Sequence, residues 1–173
     1  SGVSPGQAGF GPVKVTVRHI DAQVLSASVF TAYDCGGAHP DMGDAPLNIH
    51  TGNGRELRLE DVLWLGQGAP VHENREDEKK DQAWMRYRND VLAPWVVRQL
   101  SRLYPAQMAA PKSADDCNYR DPDVWNFPAW YVTPKGIHLA AYFARVQRVC
   151  DDPDWAVLPW SLVDAHRGPV RLH

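Results

Sequence analysis

The sequence predicts an α+β domain: an antiparallel β-sheet of five or six strands with one long helix packed on one face. Three observations carry this reading. Residues 13–33 form two runs that alternate apolar with polar side chains, residues 84–103 repeat apolar side chains every three or four positions, and residues 127–158 hold short aromatic and β-branched runs parted by turn residues.

The 173 residues suit one domain large enough to bury an ordinary core without a cofactor or metal. Residues 1–12, with four Gly and two Pro, read as a disordered tail, leaving 13–173 as a single domain. The net charge of −3 supplies no basic stripe, which argues against nucleic acid and anionic membrane as partners. No apolar run reaches the length of a membrane span. The small, flexible start at Ser1 suggests a trimmed sequence from which a signal peptide or anchor has been removed.

In chain order, Val13, Val15 and Val17 alternate with Lys14, Thr16 and Arg18, the pattern of a strand with one wet face. Leu25, Ala27, Val29, Thr31 and Tyr33 continue that period, so the two runs should pair as a hairpin through Asp21–Gln23. Leu47–His50 reads as a further strand, turned by Asn53-Gly54 into a short helix carrying Leu59, Val62 and Leu63. Glu73–Asp81 is a solvated charge run opening the long helix over Trp84–Leu103. There Val91, Leu92, Trp95, Val96, Leu100 and Leu103 face inward and Arg86, Arg88, Arg98 and Arg102 outward. Pro94 must kink or restart that helix. Phe127–Val132 and Ile137–Phe143 flank Thr133-Pro134-Lys135-Gly136, a hairpin signature. Ala156–Leu158 is a last strand stopped by Pro159, and Trp160–Ala165 a helical turn.

Cys117 and Cys150 bracket the two strands of that hairpin, each in an Asp-rich loop, and are read as a disulfide formed in an oxidising compartment; two unrelated thiols is the other reading. Cys35 is left over as a small buried thiol.

Four segments carry a family resemblance. They are Trp125–Phe127 with Thr133–Ile137; Leu158–Leu162; Tyr33-Asp-Cys-Gly-Gly-Ala-His-Pro40; and Leu47–His50 running through Thr51–Gly54 into Leu57–Trp64. Together the sequence resembles the extracytoplasmic C-terminal domain shared by the lysozyme-sensing anti-sigma factor RsiV and the peptidoglycan deacetylase PdaC. The resemblance spans about 15–162, and Cys117, Cys150 and Pro128 depart from the sensor. It implies a periplasmic or extracellular, non-catalytic binding module of the cell envelope whose ligand is a muramidase-type, lysozyme-like protein or a peptidoglycan glycan. The deacetylase's activity belongs to a separate domain, so no enzyme activity follows from the likeness.

The chemistry legible in the residues is sparse. Seven histidines are scattered without ligand spacing, and no nucleotide-binding loop or nucleophile elbow is present. The alternative function is a hydrolase of envelope substrates built on a turn of Asp34, Cys35 and His39, which would require their side chains to converge in a cleft. Gly36-Gly37 before His39 reads first as a tight backbone turn. Seven tryptophans are the better functional signal, since aromatic faces bind sugars and anchor interfaces. Trp125 and Trp155, beside Asp- and Pro-bearing loops, are expected near the surface. With Tyr33 and His39 they form the expected binding surface, where the Tyr33–Pro40 turn meets the two tryptophan loops.

Overall fold

The computed structural model describes residues 9–34 and 41–173. Among the described residues the domain is α+β with six strands, but they form two three-stranded antiparallel sheets, each with its strands in chain order, rather than one.

The first sheet holds β1 (Gly9–Ile20), β2 (Val24–Asp34) and β3 (Asp41–His50). Strand β1 therefore begins inside the segment expected to be a tail, with Gly9 opposite Asp34. Asp21 makes the β1–β2 turn, its Oδ1 accepting from the Gln23 and Val24 amides at 2.7 and 2.9 Å. After β3, Gly54 takes φ +68° to close the turn onto the His50 carbonyl. A short helix, Leu59–Val62, follows, and the Asp61 carboxylate accepts from the Arg58 amide at its start.

The second sheet holds β4 (Ala129–Thr133), β5 (Gly136–Ala140) and β6 (Val157–Pro159). Thr133 Oγ1 accepts from the Lys135 and Gly136 amides to shape the two-residue β4–β5 turn. Gly136 sits at φ +153°, where a Cβ would lie 1.9 Å from the Leu158 carbonyl oxygen of the neighbouring strand; no other residue fits. A terminal helix, Trp160–Ala165, closes the core, as expected.

The sheets are separate because the outer edge of β4 is paired by side chains instead of by a strand. Asn48 Nδ2 donates to the Trp130 carbonyl at 2.9 Å, the Val132 amide donates to Ser26 Oγ at 2.9 Å, and Ser26 Oγ donates to Asn48 Oδ1 at 2.6 Å. Both side chains are buried, so the open ladder groups of β4 stay satisfied while the first sheet crosses over them. The sequence pattern of β1 and β2 is realised with its polar face inward. Val13, Val15, Val17 and Ile20 are 56–68% exposed, whereas Ser26, Ser28 and Asn48 of the opposite face are buried.

One helical rod runs over 78–103. Asp77 caps it, accepting from the Lys79 and Lys80 amides. Pro94 neither breaks nor sharply restarts it: the preceding turn, Tyr87–Leu92, widens to a π-helix, and the Ala93 amide bonds back to the Arg88 carbonyl. Arg88 stands four residues before Leu92 and seven before Trp95, on their face of the helix, while Val91 falls at the edge of that face. Arg88, expected toward solvent, points inward, and Val91, expected inward, is exposed. Trp95, Val96 and Leu100 share one buried cluster with Leu59 and Val62 of the short helix and with Val132, Ile137, Leu139 and Leu158 of the second sheet. The long helix thus packs with the second sheet, and the first sheet adds Val24 alone to that cluster.

The expected disulfide is present, Cys117 to Cys150, with Cα atoms 5.6 Å apart.

Candidate functional site

A half-open cleft of about 690 Å³ lies where β3, the short helix, the long helix and the β4–β5 hairpin meet. Its position follows from the helix spacing and the crossed sheets: Trp84 and Arg88, four residues apart, share one helix face on one side, and Tyr131 and Asp44 stand on the other.

At the helical end the floor is Glu60, 1% exposed, whose Oε1 accepts from Arg88 Nε at 2.5 Å and from Trp84 Nε1 at 2.8 Å. The Arg88 guanidinium lies 5.3 Å from the Trp84 ring centroid and also donates to the Asn126 carbonyl. Trp84 in turn packs at 5.2 Å against Phe127. The result is an aromatic wall above a carboxylate–guanidinium pair, both charges held in place by hydrogen bonds.

At the sheet end, Arg18 lies 4.0 Å over the Tyr131 ring, with the Asp44 and Asp152 carboxylates each 3.7 Å from its guanidinium. His138 stacks on Tyr131, its Nε2 2.9 Å from the Pro153 carbonyl and 3.4 Å from Asp152 Oδ1. Burial, reinforced by Asp44, pushes the Tyr131 phenol up to about 12, so it stays a protonated donor across the working pH range. Asp152 adopts φ +50°, a left-handed conformation that Asp tolerates better than most residues. Two rings reach solvent at the cleft, Phe127 at 43% and Tyr142 at 63% exposure. The arrangement offers flat apolar faces over a floor of fixed donors and acceptors, which is the chemistry that holds a polyhydroxylated ring. Glu60 has its Oε1 committed to Arg88 and Trp84, which fixes these two side chains in the cleft wall. Among the described residues, no group of three or more His, Cys, Asp or Glu is placed to hold a metal ion.

The expected site residues distribute differently. Trp125 is corrected: it is 0% exposed, with its indole donating to the Tyr119 carbonyl at 2.8 Å, because the Asp121-capped turn Pro122–Trp125 folds it under the hairpin. Trp155 is half-buried against Tyr104 and Tyr119 at 5.4 and 5.1 Å and borders a smaller hollow of about 410 Å³. Neither lines the main cleft. Tyr33 is the next-to-last residue of β2, opposite Phe10 and Asp41, and Asp34 ends the strand opposite Gly9. Cys35 and His39 lie outside the described residues, and with them the expected meeting of the Tyr33–Pro40 turn with the tryptophan loops.

Sequence reasoning missed Glu60, Arg88, Tyr131, Asp152 and the exposed rings. A signal existed for one of them: Tyr142 falls opposite inward-facing Phe143 in the period-two pattern. No family model matches the sequence, and no curated protein matches it.

Proposed function

We propose that the protein is a non-catalytic binding module of the bacterial cell envelope, periplasmic or secreted, whose cleft takes a segment of peptidoglycan glycan. One observation carries the ligand class: Phe127 and Tyr142 expose their rings at a cleft lined at one end by Glu60 hydrogen-bonded to Arg88 and at the other by Asp44 and Asp152, both ion-paired to Arg18 behind them. Sugar rings stack on such faces, and their hydroxyls exchange hydrogen bonds with such groups. The compartment is supported by the Cys117–Cys150 disulfide, a bond that persists in oxidising surroundings. Among the described residues no helix is long and apolar enough to cross a membrane. The resemblance to the RsiV/PdaC-type domain points to the same setting.

The protein is expected to pellet with insoluble peptidoglycan sacculi, and soluble muropeptide should compete it away. Replacing both rings, Phe127→Ala with Tyr142→Ala, is expected to weaken binding at least about tenfold while lowering the melting temperature only modestly, since Tyr142 is 63% and Phe127 43% exposed and Phe127 gives up its contact with Trp84. Absence of pelleting, or pelleting indifferent to the competitor and to both substitutions, would sink the glycan reading.

A muramidase-type protein partner is the second reading, favoured by a different feature. Val146 and Val149 stand almost fully exposed, three residues apart on a turn that ends at the disulfide-bonded Cys150. A defined complex with lysozyme on a sizing column, lost in Val146→Asp/Val149→Asp and kept in the ring variants, would favour this reading over the first.

A further inference from the structure

The first sheet is inverted relative to a sheet that packs on a core. Cross-strand register puts Val13, Thr31 and Gly43 in one row, Val15, Val29 and Ala45 in the next, then Val17, Ala27 and Leu47, then Ile20, Leu25 and Ile49. These four rows lie on one face, and within them there is no charged residue and a single hydroxyl. The charged side chains Lys14 and Asp44 belong to the other face, which turns toward β4 and is joined to it through Ser26 and Asn48. Antiparallel sheets with one wet face put the apolar side inward. Here the polar side is inward, and among the described residues no element covers the apolar side: β4 is the element packed against this sheet, and it lies across the polar face.

We infer that this face is the contact between two copies of the chain, packed sheet on sheet about a two-fold axis running along the strands. Three observations favour a second copy as the occupant. The exposed Val13, Val15, Val17 and Ile20 present on the order of 400 Å², and with the partly covered Leu25, Val29, Leu47 and Ile49 the face reaches about 600 Å², the upper end of the largest apolar patch on a typical monomer, where such patches are often functional. Two such faces bury roughly 1,200 Å², the lower bound of a standard stable interface. The relief of the face is self-complementary: the β1 edge is a ridge of branched side chains, and the matching end of β3 is the hollow at Gly43 and Ala45. A two-fold axis along the strands sets Val13 and Val15 of one copy over Gly43 and Ala45 of the other. The face also lacks a basic rim, and the chain's net charge is −3, which disfavours an anionic membrane as the cover. Aligned sheets packed this way lie about 10 Å apart and interdigitate as in a β-sandwich.

Sedimentation velocity of the 1–173 chain from about 1 to 200 μM tests this. The expected result is a monomer–dimer equilibrium with a dissociation constant in the micromolar range, ~10 μM. Val15→Lys is expected to weaken the dimer at least about thirtyfold. The milder pair Val15→Thr/Val17→Thr, which keeps β-branching, should weaken it less and in the same direction; near-ultraviolet circular dichroism should be unchanged in both, because these side chains are exposed in the monomer. Val149→Lys, on the other exposed apolar feature, should leave the dimer intact. A wild-type chain that stays monomeric at 200 μM overturns the proposal and assigns the face to a different molecule. So does a dimer that survives Val15→Lys but dissociates in Val149→Lys. Neither outcome bears on the cleft, whose ligand test reads a separate surface.

Discussion

Arg88→Leu is expected to destabilise the domain by about 3–5 kcal/mol, because it leaves the Glu60 carboxylate buried without its counter-charge. Glu60 and Arg88 are 1% and 6% exposed, so water cannot readily replace either partner. A domain of this size holds about 5–15 kcal/mol in total, so the loss is a large part of its stability. The double variant Glu60→Leu/Arg88→Leu should recover most of it, since no charge is then stranded; the Trp84 indole, which loses its acceptor, sits at the cleft and can turn to water. Urea titration of the two variants separates the effects. Should Arg88→Leu be too unstable to purify, Arg88→Lys keeps the charge and loses the planar fork, and an intermediate loss is expected. A cost below about 1 kcal/mol for Arg88→Leu would mean that the pair is hydrated and does not organise the cleft floor.

Removing the disulfide is the second large effect. With 33 residues of separation between Cys117 and Cys150, the chain-entropy model gives about 3.5 kcal/mol, and Cys117→Ala/Cys150→Ala should lower the urea midpoint accordingly. The bond holds more than the unfolded chain: the Tyr119 hydroxyl donates to the Cys150 carbonyl, and Tyr119 packs edge-on against Phe143 and Trp155, so the loop and the hairpin beneath it form one packed unit. Thiol titration of the denatured, unreduced protein should count one free thiol, that of Cys35. Three would show that the bond does not form in solution.

Local features of this fold were legible in the sequence and non-local ones were not. Both hairpins were readable because their causes lie within a few residues: the Asp21 side chain closes one turn, and Thr133 with Gly136 closes the other. The disulfide was readable because two cysteines flank one hairpin in polar loops. The division into two sheets was not, since it depends on Ser26 and Asn48 meeting the edge of β4 across 106 and 82 residues of chain. Alternation in β1 and β2 fixed which residues share a face but not which face turns inward. The inward Arg88 was misread for a different reason: it stands four residues before Leu92 and seven before Trp95, on their side of the helix, but its charge was taken as a sign of solvent although a buried carboxylate, Glu60, was there to pair with it. Trp125 misled because loop neighbours were taken as a sign of exposure, whereas a single capped turn is enough to fold an indole under a sheet.

The proposed glycan site is the cleft between the long helix and the β4–β5 hairpin. Its most direct test follows the tryptophan indole ¹⁵N–¹H resonances while a soluble oligosaccharide of alternating N-acetylglucosamine and N-acetylmuramic acid is added, with the Trp84 signal assigned by Trp84→Phe. The Trp84 indole, which lines the cleft and donates to Glu60, should shift progressively and saturate, while buried Trp125 and Trp95 stay in place. No movement of the Trp84 resonance at millimolar ligand, or shifts confined to Trp155, would contradict the assignment.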